Sequence, residues 1–202
     1  MPQQLDILFD PETDGQEQPM LLGTFPAHVI GFDEGKEFRG SVPYNVLFRI
    51  APEVEGFTGI NWKDNEKKED DTEETFADGE GRIVDASYLA GREVRSKGIW
   101  LNPHPKPDER WQNRDYVNFL EAIGIELKEV EKDGKKYKTL VTLEDHEVLG
   151  RPVLITVKLE YDKRETHKGS KYPKAFTYQV WNGGKRIDVT EEEEDVFATS
   201  SE

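Results

Sequence analysis

A chain of 202 residues, 35% hydrophobic and 34% charged, has apolar material for one domain with extensions, or at most two small domains. It has no cysteine, which excludes a disulfide framework and thiolate chemistry, and no apolar run approaches the length of a membrane span. The formal net charge of -15 argues at first sight against a polyanionic partner, but the charge is segregated. Residues 1–20 carry five carboxylates and no Lys or Arg, residues 61–80 carry nine against three lysines, and residues 191–202 carry six and no base. The remaining 150 residues stand at +2, and within them residues 151–188 hold nine Lys or Arg against four carboxylates. A near-neutral body with one basic stretch can hold a polyanion on one face.

Residues 1–20 are expected as a flexible acidic N-terminal arm. The opening MPQQLDILFD has neither the basic nor the apolar region of a secretory signal, so a cytoplasmic protein is expected. A first strand is predicted at 24–32, where Phe25, Ala27 and Val29 share a face, and a second at 41–51, rich in Val, Tyr, Phe and Ile. The Asp and glycines of residues 33–40 turn the chain, which makes 25–51 a hairpin. The pattern is then lost in NEKKEDDTEET, and residues 53–81 are expected as a charged surface insertion.

Strand segments follow at 82–89 and 94–101, with Gly91 and Gly98 as breaks or bulges. Pro103, Pro105 and Pro107 forbid regular pairing beyond them. A helix is predicted over 108–123, capped by Asp108, with Trp111, Tyr116, Phe119, Leu120 and Ile123 on one broad face and Gly124 as its stop. Residues 130–143 form a hairpin around Asp133-Gly134, and 143–149 a short helical turn closed by Gly150. The clearest strand is 152–162, where Val153, Ile155, Val157, Leu159 and Tyr161 alternate strictly. A basic connection, 163–174, leads to a last strand at 175–181 and a turn at Asn182-Gly183-Gly184.

This order predicts a mainly β fold, an OB-like antiparallel barrel over 21–189 with one helix between its third and fourth strands. Acidic flexible extensions, 1–20 and 190–202, flank it. A sandwich or an α+β roll would give the same string of elements.

The segment YDKRETHKGSKYPKAFTYQVW interleaves cations with rings. Lys163, Arg164, Lys168, Lys171 and Lys174 suit phosphates, while Tyr161, Tyr172 and Trp181 suit stacking on bases, with Tyr44 and Trp100 behind them. Alternation puts Phe176 and Tyr178 on one face, where core packing is at least as good a reading. The tail Glu191, Glu192, Glu193, Glu194, Asp195, Val196 and Phe197 is either a solubility segment or a competitor for that groove and a partner dock. No catalytic motif occurs, and His28, His104, His146 and His167 lack metal-ligand spacing, so no enzyme, cofactor or metal site is expected.

The frames GTFPAHVIGFDEGKEFRGSVPYNVLFRI, DYVNFLEAIGI and VLGRPVLITVKLEYD resemble bacteriophage replication-associated single-stranded-DNA-binding proteins. Gly23, Phe25, Ala27 and Val29 match one strand pattern of that family, and residues 45–50 a second. Gly124, Leu149-Gly150-Arg151 and residues 153–157 match its helix end and late strand. The resemblance implies an OB-like barrel, sequence-tolerant binding of single strands in phage DNA replication or recombination, and a place in the host cytoplasm. Tails in that family end in acidic residues with a terminal aromatic, whereas here five residues follow Phe197. Single-stranded DNA is therefore the expected partner, with replication or recombination proteins at the tail, no membrane, and an oligomer left open. A virion structural or interaction protein, or an acidic DNA mimic that blocks a host enzyme, is the alternative.

Overall fold

The computed structural model describes residues 18–62, 81–161 and 170–189. Among these residues, alternation of apolar and polar side chains produces ten strands, and six of them form one antiparallel sheet. β1 (Gly23–Glu34) and β2 (Val42–Ile50) make the expected hairpin, with Ala27 opposite Ile50 and Phe32 opposite Val46. β3 (Thr58–Asn61) and β4 (Arg82–Asp85) form a separate two-stranded ribbon. β5 (Glu93–Arg95) and β6 (Ile99–Leu101) both pair with β2, and the break between them falls at Gly98, as the sequence suggests. β7 (Glu129–Lys132) and β8 (Lys135–Lys138) turn on Asp133 and Gly134, both at positive φ, the signature of a type I′ hairpin. β9 (Pro152–Tyr161) joins β1 on one side and β10 (Lys171–Gln179) on the other.

The main sheet runs β10-β9-β1-β2-β5, with β6 beside β5 on β2. Irregularities between Val29 and Gly31 and between Ala175 and Thr177 increase its twist, and the sheet curls into a half-barrel. Its two ends approach. Ser96 makes a parallel bridge to Ala175, and the Lys97 N–H donates to the Ala175 carbonyl at 3.1 Å. Buried Ser96 also pins the corner to β2, since its N–H bonds the Val46 carbonyl and its Oγ accepts the Val46 N–H.

Inside the curl lie Phe25, Ala27 and Val29, then Val46, Phe48 and Ile50, then Val153, Ile155 and Val157. Helix α1 (Arg114–Ala122) covers the opening with Tyr116, Phe119 and Leu120. Ring contacts knit the two: Phe32 on Tyr44 at 5.0 Å, Tyr44 on Tyr116 at 5.4 Å, Phe119 on Tyr178 at 5.3 Å. Each buried ring contributes roughly 1.5–3 kcal/mol by area and about 0.5–1.5 kcal/mol more through such pairs. A one-turn helix, α2 (Asp145–Val148), sits where a short turn was expected, closed by a reciprocal capping box between Glu144 and Glu147.

Four local expectations need correction. The insertion is not all surface, because Val54 and Trp62 are buried and β3 lies within it. Its Ile60 exchanges backbone bonds with Leu22, and Gly59 packs so closely on Leu21 that a Cβ would sit 2.7 Å away. The strand expected at 82–89 ends at Asp85, whose Oδ1 accepts the Ser87 N–H and starts a 3-10 turn over Ser87–Leu89. The helix begins at Arg114 after a 3-10 turn over Arg110–Asn113, so Asp108 does not cap it and Trp111 is 67% exposed. Asn113 at the cap position bonds Asn102 instead, through both ends of its amide. Finally, β10 starts at Lys171, and its irregularity at Phe176 leaves Tyr178 alone facing inward.

Candidate nucleic-acid interface

Across β9 and β10 the register sorts side chains by face. Pro173 lies opposite Leu159 and Ala175 opposite Val157, which face the core, so Tyr172 opposite Glu160 and Lys174 opposite Lys158 face outward. Tyr172 is 41% exposed. Lys171 opens the strand opposite Tyr161, the last residue of β9. Lys163, Arg164 and Lys168 lie outside the described residues, as do the side chain of Tyr161 and the acidic tail from Glu191 to Phe197.

The parallel bridge brings β5 to this edge. Lys174 is half-buried, and desolvation holds its ammonium below the usual lysine value. Nearby Arg95 pushes in the same direction, and Glu160 opposes both. Two residues further, Lys97 reaches Asp115 at 3.3 Å and sits 5.2 Å over the ring of Phe176. Arg95, Lys158 and Lys174 thus come together with Glu160, and Lys97 lies next along β10 with Asp115, so the balance is cationic; Lys171 opens the same strand on the opposite face from Lys174. Arg95 and Lys97 escaped sequence reasoning because some 75–80 positions separate them from Lys171 and Lys174. No local pattern announces a parallel contact.

Trp181 is placed elsewhere. It follows β10 and meets the His28 ring edge-on at 5.4 Å, while His28 Nε2 lies 2.9 Å from the Lys185 carbonyl oxygen. Residues 181–189 run over the outer side of β1 and β9, held by the Ile187 N–H on the Gly150 carbonyl and Arg186 Nε on the Leu149 carbonyl. Nine residues of mostly extended chain separate Tyr172 from Trp181, roughly 25–30 Å, so the fold does not gather these two rings into one platform. Tyr44 is corrected outright. Only 2% exposed, it is a core residue, its phenol raised above the ordinary range by burial and by Glu34. Trp100 is 40% exposed on the outer face of β6, opposite Pro43.

No protein-family model and no curated protein matches this chain. The site must be judged on its own geometry. Among the described residues, no cluster of three His, Asp or Glu side chains is placed to hold a metal ion, and no helix is long and apolar enough to cross a membrane. A cleft beside α1 is lined by Leu101, Val117, Tyr137 and Leu140, and its two asparagines, Asn102 and Asn113, are committed to each other. It offers no nucleophile paired with a base. The β5–β10 edge offers several cations and the 41%-exposed ring of Tyr172, which suits a flexible polyanion with planar groups.

Proposed function

We propose that this protein binds single-stranded DNA with little sequence preference, on an OB-like barrel, and serves phage DNA replication or recombination. The barrel reading is supported by the pairing circuit β1-β2-β5-β10-β9-β1, with its one parallel contact between β5 and β10 and with α1 lying in sequence between β6 and β9. The observation that carries the functional reading is the meeting of Arg95 with Lys174, two residues from exposed Tyr172, and of Lys97 with Phe176 on the same strand. Cations along an edge release counterions from a phosphate backbone, and an exposed ring stacks on any base. Neither contact reads base identity, hence the sequence tolerance. The phage assignment rests on the motif resemblance around residues 23–50 and 148–162.

Lys163, Arg164 and Lys168 would extend the track, and the tail from Glu191 would compete for it or recruit replication proteins, by charge alone. Titration of a fluorescent single-stranded oligonucleotide tests the reading. Neutralising about four phosphates gives a log–log salt slope near -3, at about -0.7 per contact. Duplex DNA of the same sequence should bind more weakly. Equal affinity for duplex, or no binding at ~50 mM salt, refutes the proposal.

A further inference from the structure

Regular pairing of β1 with β2 ends at Glu34 opposite Tyr44, yet the connection stays ordered. Gly35 N–H bonds the Pro43 carbonyl at 2.8 Å, and Phe38 and Ser41 exchange both backbone bonds at 2.8 and 3.1 Å. These bonds close a two-residue turn on Arg39 and Gly40, with φ of 52° and 80°. The glycine accepts that conformation freely, whereas an arginine pays roughly 1–2 kcal/mol for it. At this turn Phe38 is 59% exposed, with the Arg39 guanidinium carbon 5.1 Å over its ring. An aromatic so exposed contributes little to the fold, and the left-handed turn at Arg39 places a cation against it.

Register fixes the direction of this ring. Val42 and Tyr44 lie opposite Leu101 and Ile99, which are core, so Ser41 and Pro43 face outward, and Pro43 lies opposite Trp100. Phe38, bridged to Ser41, therefore shares the outer face with Trp100, which lies two residues along and two strands across, roughly 12 Å away at ~3.3 Å per residue and ~4.8 Å per strand. Asp33, Glu34 and Glu37 flank the turn against Lys36 and Arg39, so it is no phosphate track. What it presents is a ring face backed by one guanidinium.

We infer that the β1–β2 turn is a stacking platform for an unpaired nucleobase, formed by Phe38 with Arg39, with Trp100 a separate ring on the same outer face. The inference rests on the single-strand-binding reading above and adds a second contact region to the β5–β10 edge. Three full-length variants test it: Phe38→Ala, Phe38→Trp and Arg39→Gly. Phe38→Ala should weaken binding of a single-stranded oligonucleotide roughly 5–150-fold, the loss of one base–aromatic stack, with an unchanged melting temperature. Phe38→Trp should retain affinity. Arg39→Gly should melt no lower than the parent, since the turn strain is relieved, yet bind more weakly. Wild-type affinity in Phe38→Ala, or a loss accompanied by a large drop in melting temperature, overturns the inference while leaving single-strand binding in place. Failure of the parent protein to bind single strands removes both.

Discussion

Replacing Gly150 with alanine should lower the melting temperature by about 6–12 °C, for reasons that can be separated. Gly150 lies between α2 and β9 with φ of 74°, donates its N–H to the Val29 carbonyl at 2.7 Å and accepts the Ile187 N–H at 2.9 Å. A left-handed L-residue costs roughly 1–2 kcal/mol. An added Cβ would also stand 1.9 Å from the Ile187 carbonyl oxygen, so the backbone of residues 185–188 must move. That displacement sacrifices the Ile187 bond and the His28 contact with the Lys185 carbonyl, each roughly 0.5–1.5 kcal/mol. The central total is about 3 kcal/mol, and in a chain of this size each kcal/mol shifts the midpoint by roughly 2–4 °C. Thermal unfolding followed by far-ultraviolet circular dichroism reads the effect. Gly40→Ala is the control, because its φ of 80° imposes the same backbone strain while nothing lies within 4 Å of the added methyl. If Gly150→Ala melts no lower than Gly40→Ala, the C-terminal segment is not held against β1 and β9 in the way described.

Tyr172→Ala should weaken single-stranded-DNA binding by roughly 1–3 kcal/mol with little change in melting temperature, and parallel binding and melting curves check both halves. Lys174→Met should melt higher than the parent at neutral pH but bind DNA less tightly. Burial depresses the folded-state pKa of Lys174 below 10.5, so its contribution to stability rises with pH through that window, is complete above 10.5 and is lost as pH falls; melts across this range should show the variant's margin shrinking upward. Tyr178, whose phenol donates to the Ala175 carbonyl at 3.2 Å, has its pKa raised by burial, as does Tyr116. Stability from these groups is present below the ordinary tyrosine value of 10.0 and lost as pH rises above it, where the unfolded chain ionises first, so Tyr178→Phe should flatten the alkaline decline seen by denaturant titration. Deleting residues 190–202 should tighten DNA binding at low salt and lose that advantage as salt rises, and identical affinities at every salt concentration would reject a competing tail.

Much of the fold is legible where the controlling chemistry is local. Strict alternation from Val153 to Leu159 names β9 and its inward face, and Asp133-Gly134 names a hairpin, whose type I′ turn the positive φ values supply. Irregularities defeat the same reasoning. One displaced residue at Phe176 changes which side of β10 faces inward, so Tyr178 joins the core while Phe176 lies beneath Lys97. The helical spacing of Trp111 misleads because its turn is a 3-10 turn, and residues there do not continue the α-helical face. Tyr44 and Trp100 were equal candidates in sequence, and only pairing with β6 shows one inside and the other outside. The cationic edge is half legible: Lys174 stands in a basic run, but Arg95 reaches it only through the parallel bridge between Ser96 and Ala175.

The ribbon of β3 and β4 has a consequence for how this chain can change. Asn61 lies directly opposite Arg82, and on the core side Leu22 and Ile60 exchange two backbone bonds while Trp62 Nε1 donates to the Met20 carbonyl. Trp62 and Gly81, the described residues on either side of positions 63–80, are therefore held next to each other. Loop-closure entropy grows only with the logarithm of length, so doubling that stretch would cost about 0.6 kcal/mol. A reporter peptide or a whole domain whose ends lie close together can be spliced between Trp62 and Gly81, and the ribbon acts as a collar that keeps the rest of the molecule indifferent to what it carries.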